Sequence, residues 1–387
     1  MIEVHFLPAN GGDFLWLCYG NRKHRSHILI DSGYTQCHKD YCAIMQYICE
    51  AGETVEAVFL THIDNDHVSG FLRWLLQKPF VAPSIKRIFF NNGRDIQRNL
   101  DITFSSWPED SVSDYIPGKK YGVGTAIHIL EALEHQGLSS VLHGCVTSDS
   151  GPIRLSQGAA IQFISPSIAA LKRFSQKWEE EVQKKEREAG KPKKYGAVPI
   201  CCNSLQELLD EPFVPDSSVT NGASLAFLFE FQGKRLAFLG DAWADECLSG
   251  LAALGYSPEH PYEATLIKLS HHGSPHNLSE ELARTLYAPC YLISTKRTSV
   301  IRDQKATIAR LLKLGRPITI IRNYRTESGF LTEDDQERYV RRKQLCLLST
   351  ENSGSGRIEL EGGCLVCGKA GETFRLYRPV QRTAPER

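Results

Sequence analysis

The chain has 387 residues, which is enough for one large α/β domain with additions or for two domains. Its composition is 42% hydrophobic and 23% charged, which excludes a mostly disordered chain. Lysine plus arginine total 45, as do aspartate plus glutamate, so no overall positive field attracts nucleic acid and any polyanion site must be local. We find neither a membrane-length apolar run nor a secretory signal pattern, and we expect a cytoplasmic protein without membrane contact.

The cysteines also favour a reducing compartment. The chain contains 12, mostly scattered, which is typical of free thiols in a cytosolic protein. Cys364 and Cys367 differ from the others, because their C-x-x-C spacing supplies half of a structural zinc site. Such a site needs four ligands and only Cys346 is near in sequence, so the role of this pair stays open.

The first 90 residues predict a strand meander followed by alternating helices and strands. Short apolar segments bounded by Gly, Asn or Pro indicate the strands, and apolar spacing of three and four residues indicates the helices. We predict strands over 2–7, 14–19, 27–30, 57–60 and 86–90, and helices over 41–49 and 68–77.

The second half repeats this order after a hairpin. Residues 224–231 place alternate apolar side chains on one face, Gln232-Gly233 is a turn sequence, and the return strand covers 236–239. Beyond it we predict helices over 244–254, 279–287 and 305–314, and strands over 264–269, 291–294 and 318–322. Two such runs imply two packed sheets with helices outside them.

Three segments define the predicted domain organisation. A main domain covers 1–330, with a charged helical insertion at about 166–215, and a small β appendage with the C-x-x-C pair covers 331–387. The insertion is dense in Lys and Glu, which is typical of a solvated helix. A lid over a site is the alternative, because long insertions in compact domains often cover one.

One segment concentrates metal-binding chemistry. A buried-strand pattern ends and His62, Asp64, Asp66 and His67 follow within six residues, just before a predicted helix. Burying two carboxylates and two imidazoles together is costly unless cations neutralise them. The segment therefore predicts ligands for two metal ions.

Two further strand ends carry the same kind of side chain. Asp241 directly follows the return strand of the hairpin, and His271 and His272 follow the next predicted strand. Carboxylates mixed with imidazoles indicate a site for manganese, iron or zinc rather than a thiolate-type zinc site. We expect all three locations to meet at one centre.

These motifs resemble the metallo-β-lactamase fold superfamily, and within it the branch typified by the nuclease-like domain of the competence protein ComEC. That branch has H-x-D-x-D-H where most of the superfamily has H-x-H-x-D-H, together with G-D-A and L-K-x-x-H-H-G-S segments. The corresponding segments here are His62 to His67, Gly240-Asp241-Ala242, and Leu266 and Lys268 leading into His271-His272-Gly273-Ser274. The resemblance covers about residues 1 to 325 and implies an α/β fold, a four-layer αβ/βα sandwich.

The resemblance also implies supporting residues, and Gly12-Asp13 looks like the opening G-D element of the family. Asp31, in an I-D-x-G element, is expected to orient ligands rather than to bind metal. The superfamily often supplies one more histidine before the bridging aspartate. We place Asn221 or Ser224 in that role and interpret His143, whose sequence context differs, as structural.

The resulting hypothesis is a dinuclear hydrolase that uses a hydroxide bridging two divalent ions, manganese or zinc. One ion would be held by His62, Asp64 and a group near Asn221 or Ser224. The other would be held by Asp66, His67 and His271. Asp241 would bridge the two ions. Two adjacent cations bring the pKa of the bridging water towards neutrality and clamp the reacting oxygens. Asp66 is the candidate proton acceptor, and His272, Ser274 and His276 are candidates for contact with the scissile group. His272 is the alternative to His271 as ligand.

Substrate class rests on the resemblance, which implies a nuclease or other phosphodiesterase acting on nucleic acid or nucleotides. Local basic residues are compatible with this but form no dense stripe: Arg94, Arg98, the Lys119-Lys120 pair, Lys191, Lys193 and Lys194. Alternatives are a small-molecule hydrolase acting on a cyclic nucleotide, lactone or thioester, and a non-catalytic interaction module of the same fold. By analogy, a stand-alone member of this branch suggests bacterial defence or nucleic-acid turnover with a protein partner.

Overall fold

The computed structural model describes residues 1–21, 23–102, 122–185, 203–296, 301–324, 329–350, 356–361 and 364–366. Cys367, the lysines at 119 and 120 and those at 191, 193 and 194, all singled out from the sequence, lie outside these residues. Among the described helices, none combines the length and hydrophobicity that crossing a bilayer requires.

The described strands and helices alternate along the chain. In chain order the strands are β1 (Ile2–Phe6), β2 (Leu15–Gly20), β3 (Arg25–Ile30), β4 (Thr54–Phe59), β5 (Ser84–Ile85), β6 (Ile88–Phe89), β7 (Leu142–His143), β8 (Ile153–Arg154), β9 (Ala160–Ser165), β10 (Ala226–Phe231), β11 (Lys234–Phe238), β12 (Tyr262–Glu263), β13 (Leu266–Lys268), β14 (Leu286–Tyr287), β15 (Cys290–Ile293), β16 (Ile318–Arg322), β17 (Leu345–Ser349), β18 (Gly356–Glu361) and β19 (Cys364–Val366). The helices are α1 (His38–Glu50), α2 (Asn65–Leu75), α3 (Gly93–Leu100), α4 (Val123–His135), α5 (Ile168–Lys185), α6 (Leu205–Leu208), α7 (Val219–Gly222), α8 (Ala244–Ala253), α9 (Glu280–Thr285), α10 (Ile301–Leu312) and α11 (Glu333–Asp335).

Two mixed sheets organise these strands. The first has the order β19-β18-β1-β2-β3-β4-β6-β7, with β5 also paired to β4, and the second has the order β17-β16-β15-β13-β11-β10-β9-β8. Each contains an antiparallel meander followed by parallel strands, because β3 pairs in parallel with β4 and β11 with β13. The short strands β12 and β14 form a separate pair.

Three apolar clusters give the layers. The cluster between the sheets brings aromatic side chains of both together, with Phe59 of β4 stacked on Phe227 of β10 at 4.0 Å between ring centroids. A second cluster joins the outer face of the first sheet to α1, α2, α4 and α5, and a third joins the second sheet to α8, α9 and α10. The predicted α/β architecture, a four-layer αβ/βα sandwich, is confirmed.

Several boundaries differ from the sequence prediction. The helix predicted over 279–287 ends at Thr285, and its last two residues form β14, which pairs with β12. The helices α3 and α4 were not predicted from the sequence. The helix expected to begin at Val68 begins at Asn65, inside the metal-binding motif.

The predicted C-terminal appendage contributes strands to both sheets. β17 pairs in parallel with β16 of the second sheet, and β18 pairs antiparallel with β1 of the first. Within the predicted insertion, α5 packs on the first sheet's helical layer through buried side chains such as Trp178. The division of the chain at residue 330 remains a prediction.

Candidate metal centre

The candidate centre lies where strands from both sheets end. β4 leads into His62, and Asp64 occupies the N-cap position of α2 without making a capping side-chain hydrogen bond. Asp66 and His67 are in the first turn of that helix. From the second sheet, β11 leads to Asp241 and β13 leads to the two adjacent histidines.

One carboxylate oxygen lies at the middle of this arrangement. Oδ2 of Asp241 is 3.6 to 3.9 Å from the Nε2 atoms of four imidazoles, those of His67, His62, His272 and His271 in order of increasing distance. These residues come from three separate chain locations, so the structure brings together the three motifs singled out in the sequence. Oδ2 of Asp64 lies 3.9 Å from Nε2 of His62.

The first two histidines are held through their Nδ1 atoms. Nδ1 of His67 is 2.8 Å from Oδ2 of Asp31, a residue directly after β3. Thr61 donates its backbone N–H and its hydroxyl to the two Asp31 oxygens, and its hydroxyl oxygen is 3.1 Å from Nδ1 of His62. Since Nδ1 is then the protonated nitrogen, the Nε2 lone pair of each ring is left for a metal.

His272 is held in the same way by a buried ion pair. Its Nδ1 lies 3.2 Å from Oδ1 of Asp13, whose Oδ2 is 2.6 Å from Nζ of Lys268. All three side chains are buried. Burial alone raises the pKa of Asp13, but Lys268 and His272 outweigh it and hold that pKa at about 2.

His271 has a different set of partners and is about one-third exposed. Its Nδ1 is 3.0 Å from Oδ1 of Asn277 and 3.5 Å from Oδ2 of Asp216. Asn277 is fully buried and also donates to the backbone oxygens of Asp241 and Ala242. Asn277 therefore links the histidine loop to the loop that carries Asp241.

Three buried polar atoms at the centre have no hydrogen-bond partner within the part of the chain that the structure describes: Nε2 of His62, Nε2 of His67 and Oδ1 of Asp241. Leaving such atoms unpaired is costly in a folded protein. A divalent cation would satisfy all three, because neutral imidazole nitrogens and carboxylate oxygens are its usual protein ligands. The residues present therefore fit a metal centre.

The ligand atoms form groups small enough to surround an ion. Within the described residues, four sets have their ligand atoms within 4.8 Å of one another: His62, His67 and Asp241; Asp66, His67 and His272; Asp13, Asp241 and His272; Asp13, Asp31 and His67. Four residues recur in these sets: His67, Asp241, His272 and Asp13. The overlap is what two neighbouring cation positions would produce.

The protonation states of two candidate ligands, His62 and Asp241, suit a cation as they stand. Burial, reinforced by the neighbouring His67, lowers the pKa of His62 to about 4, so this imidazole is neutral at pH 7. Burial alone raises the pKa of Asp241, but the surrounding imidazoles outweigh it and hold that pKa well below its ordinary range. A neutral imidazole and an ionised carboxylate are the states that bind cations. Burial lowers the pKa of His67, but neighbouring carboxylates outweigh it and raise that pKa well above its ordinary value, and burial raises the pKa of Asp64 to about 6. A cation bound by His67 and Asp64 would therefore displace protons.

Other residues selected from the sequence support the centre indirectly. Ser224 is buried, and its hydroxyl accepts the backbone N–H of Asp241 at 3.0 Å. Asn221 donates to Asp216 at 2.7 Å. The hydroxyl of Ser274 accepts the backbone N–H of His276, whose Nδ1 lies 2.7 Å from the backbone oxygen of Val214.

His143 lies apart from the ligand groups. It is exposed on β7, and its ring is 5.2 Å from that of Phe89.

Sequence reasoning assigned no role to Asp13, Lys268, Asp216 or Asn277. The first two were visible as part of the Gly12-Asp13 element and the L-K-x-x-H-H-G-S segment, but nothing in the sequence indicated that they pair. Asp216 and Asn277 are in loops with no recognisable pattern. Only the folded chain reveals that they hold His271.

Comparison with known proteins agrees with the fold and the ligand groups. The family model described as the metallo-beta-lactamase superfamily matches residues 21–160, which include His62 to His67. This part of the chain is similar to the metallo-β-lactamase superfamily. Proteins with this fold are generally metal-dependent hydrolases.

Solved structures with this fold are distant from the chain. Zn(2+)-bound PqqB from Methylobacterium extorquens is 13% identical, with 93% of this chain and 100% of that chain covered and a TM-score of 0.39. The metallo-β-lactamase fold protein YhfI from Bacillus subtilis is 8% identical, with 92% of this chain and 98% of that chain covered and a TM-score of 0.35. The short form of human tRNase Z is 12% identical, with 68% of this chain and 76% of that chain covered and a TM-score of 0.28. No curated protein matches the chain.

Proposed function

We propose that this metallo-β-lactamase fold protein is a dinuclear metal-dependent phosphodiesterase, a nuclease or an enzyme acting on a smaller phosphodiester. The observation that carries the metal dependence is the placement of Asp241 Oδ2 between four imidazole Nε2 atoms at 3.6 to 3.9 Å. The choice of a phosphodiester is supported by the three motifs shared with the ComEC-like branch.

The geometry suggests how the ligands divide between two ions. His62 and Asp64 would hold the first ion, and Asp66, His67 and His272 the second, with Asp241 between them. We assign His272 rather than His271 to the second ion, because His272 forms a compact group with the other two and is buried. His271 is more exposed, so we place it on the substrate side.

Bound divalent ions would supply a nucleophile at neutral pH and offset the negative charge that develops on the reacting oxygens. The chain's own residues would do the rest. The carboxylate of Asp66 would orient the attacking water molecule and accept its proton. Asp13, Asp31 and Thr61 would keep the imidazole rings aimed at the centre through their Nδ1 atoms.

The described surface favours a small phosphodiester as the second candidate substrate. Of the basic residues considered for nucleic-acid contact, Arg94 lies 3.8 Å from Glu134 and Arg98 lies 3.8 Å from Asp95. Cations already paired with carboxylates attract a polyanion weakly. A cyclic or linear dinucleotide needs fewer phosphate contacts than a polynucleotide does.

The test is a substrate panel run on metal-loaded protein. We expect hydrolysis of at least one of labelled single- or double-stranded DNA, RNA and cyclic dinucleotides, and none by the Asp66→Ala/His67→Ala double variant. Falling polynucleotide turnover with rising salt would favour the nuclease, whereas constant turnover of a dinucleotide would favour the second candidate. Hydrolysis of lactones or thioesters alone would reject the phosphodiesterase, and absence of bound metal by elemental analysis would reject the hydrolase.

The choice of metal can be tested in the same assay. We expect Mn²⁺ to reactivate the chelated protein at least as well as Zn²⁺, because Asp64 replaces the imidazole found in most of the superfamily and carboxylates suit manganese. Reactivation by Zn²⁺ alone would contradict this. A role in bacterial defence or nucleic-acid turnover, with a protein partner, rests on the ComEC-like resemblance and stays a proposal.

A further inference from the structure

The loop that carries His272 has an unusual backbone. His271, His272 and Gly273 have φ values of +45°, +57° and +82°, so three consecutive residues adopt the left-handed conformation. Residues other than glycine rarely do so, because Cβ crowds the backbone. Such a conformation persists only where surrounding structure holds it.

Backbone hydrogen bonds supply part of that support. The backbone N–H of His271 donates to the carbonyl oxygen of Gly240 at 2.9 Å, and the backbone N–H of Ser274 donates to the carbonyl oxygen of His271 at 3.0 Å. These bonds fix the two ends of the left-handed turn. They leave the carbonyl groups of His272 and Gly273 to find partners elsewhere.

Those partners come from one side of α10. Thr307 donates its hydroxyl to the carbonyl oxygen of Gly273 at 2.7 Å, and Gln304 donates its amide to that of His272 at 3.4 Å. Arg310 donates to the carbonyl oxygens of Pro275 and Leu278 at 2.7 and 2.6 Å. The three donors are spaced three residues apart, and all are buried.

We infer that Thr307 is a positioning residue that holds the histidine loop in its left-handed form and thereby keeps His272 in the metal centre. The Thr307 hydroxyl donates to the carbonyl oxygen of Gly273, the residue directly after His272. Loss of the hydroxyl would leave this buried acceptor unpaired. The loop would then gain stability by relaxing towards an ordinary backbone conformation, which moves the imidazole. This inference rests on the proposed metal centre but not on the identity of the substrate.

The test compares metal affinity between matched threonine variants. Thr307→Val removes the hydroxyl but keeps the shape, and Thr307→Ser keeps the hydroxyl. Thr350→Val is the control, because Thr350 is also buried and donates to a backbone carbonyl, that of Asn323. Affinity for Mn²⁺ and Co²⁺ is measured by competition with a chromophoric chelator, and the Co²⁺ absorption bands report the ligand geometry.

We expect Thr307→Val to weaken metal binding about 10-fold and to change the Co²⁺ bands, as loss of a supporting hydrogen bond commonly does. Thr307→Ser and Thr350→Val should keep the wild-type affinity and spectrum. Equal affinity in Thr307→Val and wild type, or an equal loss in Thr350→Val, would overturn the inference while leaving the proposed function intact. No metal binding by wild-type protein would instead reject the centre, and the inference with it.

Folding of the variants is checked separately. Circular dichroism and urea unfolding of the metal-free proteins establish that Thr307→Val is folded. If it is not, Thr307→Ala removes the same hydroxyl without adding a methyl group in its place, and the same comparison with Thr350→Ala applies. Unchanged metal affinity in a folded Thr307→Ala protein would also overturn the inference.

Discussion

Asp66 is only partly buried, as Asp64 is, whereas Asp241 is buried. A carboxylate in that position can reach both a bound ion and a water molecule that approaches from solvent, whereas Asp241 is enclosed by imidazoles. This difference in access is the reason for assigning proton transfer to Asp66 rather than to Asp241. Asp66 is preferred to Asp64 because it forms a compact group with His67 and His272. The same reasoning leaves Asp241 as a purely electrostatic and ligating group.

We expect Asp66→Asn to lower turnover of the identified substrate by at least about 100-fold, because it removes both a ligand charge and the proton acceptor. Stability should change little, since the side chain is near the surface. Asp245→Asn, at an exposed position on α8, is the control and should keep full activity. An Asp66→Asn protein with wild-type turnover would remove Asp66 from the mechanism.

The Asp13–Lys268 pair gives a prediction about stability. Asp13→Asn would leave a buried ammonium group without its carboxylate, and breaking a buried pair in this way costs about 3–5 kcal/mol of unfolding free energy. For comparison, Glu280→Gln removes one partner of the exposed pair with Arg284 and should cost less than about 1 kcal/mol. Urea unfolding of the metal-free proteins measures both; similar losses would show that the Asp13 pair contributes no more than a surface pair.

At the level of elements, the close packing of α2 on the loop after β3 determines where His67 lies. The Ser32 backbone N–H and hydroxyl both donate to the carbonyl oxygen of His67, at 2.7 and 2.8 Å. A Cβ atom on Gly70 would come within 2.2 Å of the Ser32 carbonyl oxygen. Only glycine at this position lets the helix approach the loop so closely.

Gly70→Ala therefore reverses the usual effect of this substitution. In an unobstructed helix it stabilises by about 1 kcal/mol, but here overpacking should destabilise the protein by about 1–3 kcal/mol and weaken metal binding by displacing His67. Gly250→Ala in α8 is a matched control, because its Cβ would lie 2.1 Å from the Ile164 carbonyl oxygen. We expect it to lower the thermal midpoint but not the metal affinity. A more stable Gly70→Ala protein would contradict the packing argument.

The elements that sequence reasoning predicted well are those with short-range signals. The hairpin of β10 and β11 was predicted because alternation and a Gln232-Gly233 turn lie within a few residues, and both turn residues have the positive φ that such a turn needs. α9 was predicted too long because the last two residues of the predicted helix are in a strand instead. They form β14, which pairs with β12, about 25 residues earlier in the chain. A long-range contact of this kind leaves no local pattern.

The site was predictable as residue types at strand ends but not as geometry. His62, Asp64, Asp66, His67 and Asp241 were selected because each follows a strand pattern. The sequence left His271 and His272 interchangeable, since the handedness of the backbone between them decides which imidazole is buried. Asp216 and Asn277 were not selected because their roles depend on contacts between loops.

For the whole molecule, the centre joins the two sheets. Asp31 and His67 belong to segments of the first sheet, and Asp241 and His272 to segments of the second. An ion bound by both groups would link the halves in the folded state only, and ligands that bind only the folded state stabilise it.

Removal of metal should therefore lower stability as well as activity. At a free metal concentration 100 times the dissociation constant, the expected difference is about 2.7 kcal/mol. Thermal unfolding with added Mn²⁺ and with a chelator measures it, and Asp241→Asn, which loses the shared carboxylate, should show a much smaller difference. A wild-type midpoint that does not respond to the chelator would contradict a metal link between the sheets.

The pairing of β18 with β1 has a consequence for synthesis in the cell. Ile2 lies opposite Leu360, so β1 acquires this neighbour only after more than 350 further residues have been translated. Until then one side of β1 offers unpaired backbone groups, to which strands of other nascent chains can add. We therefore expect chains truncated before residue 356 to aggregate during expression more than the full chain does.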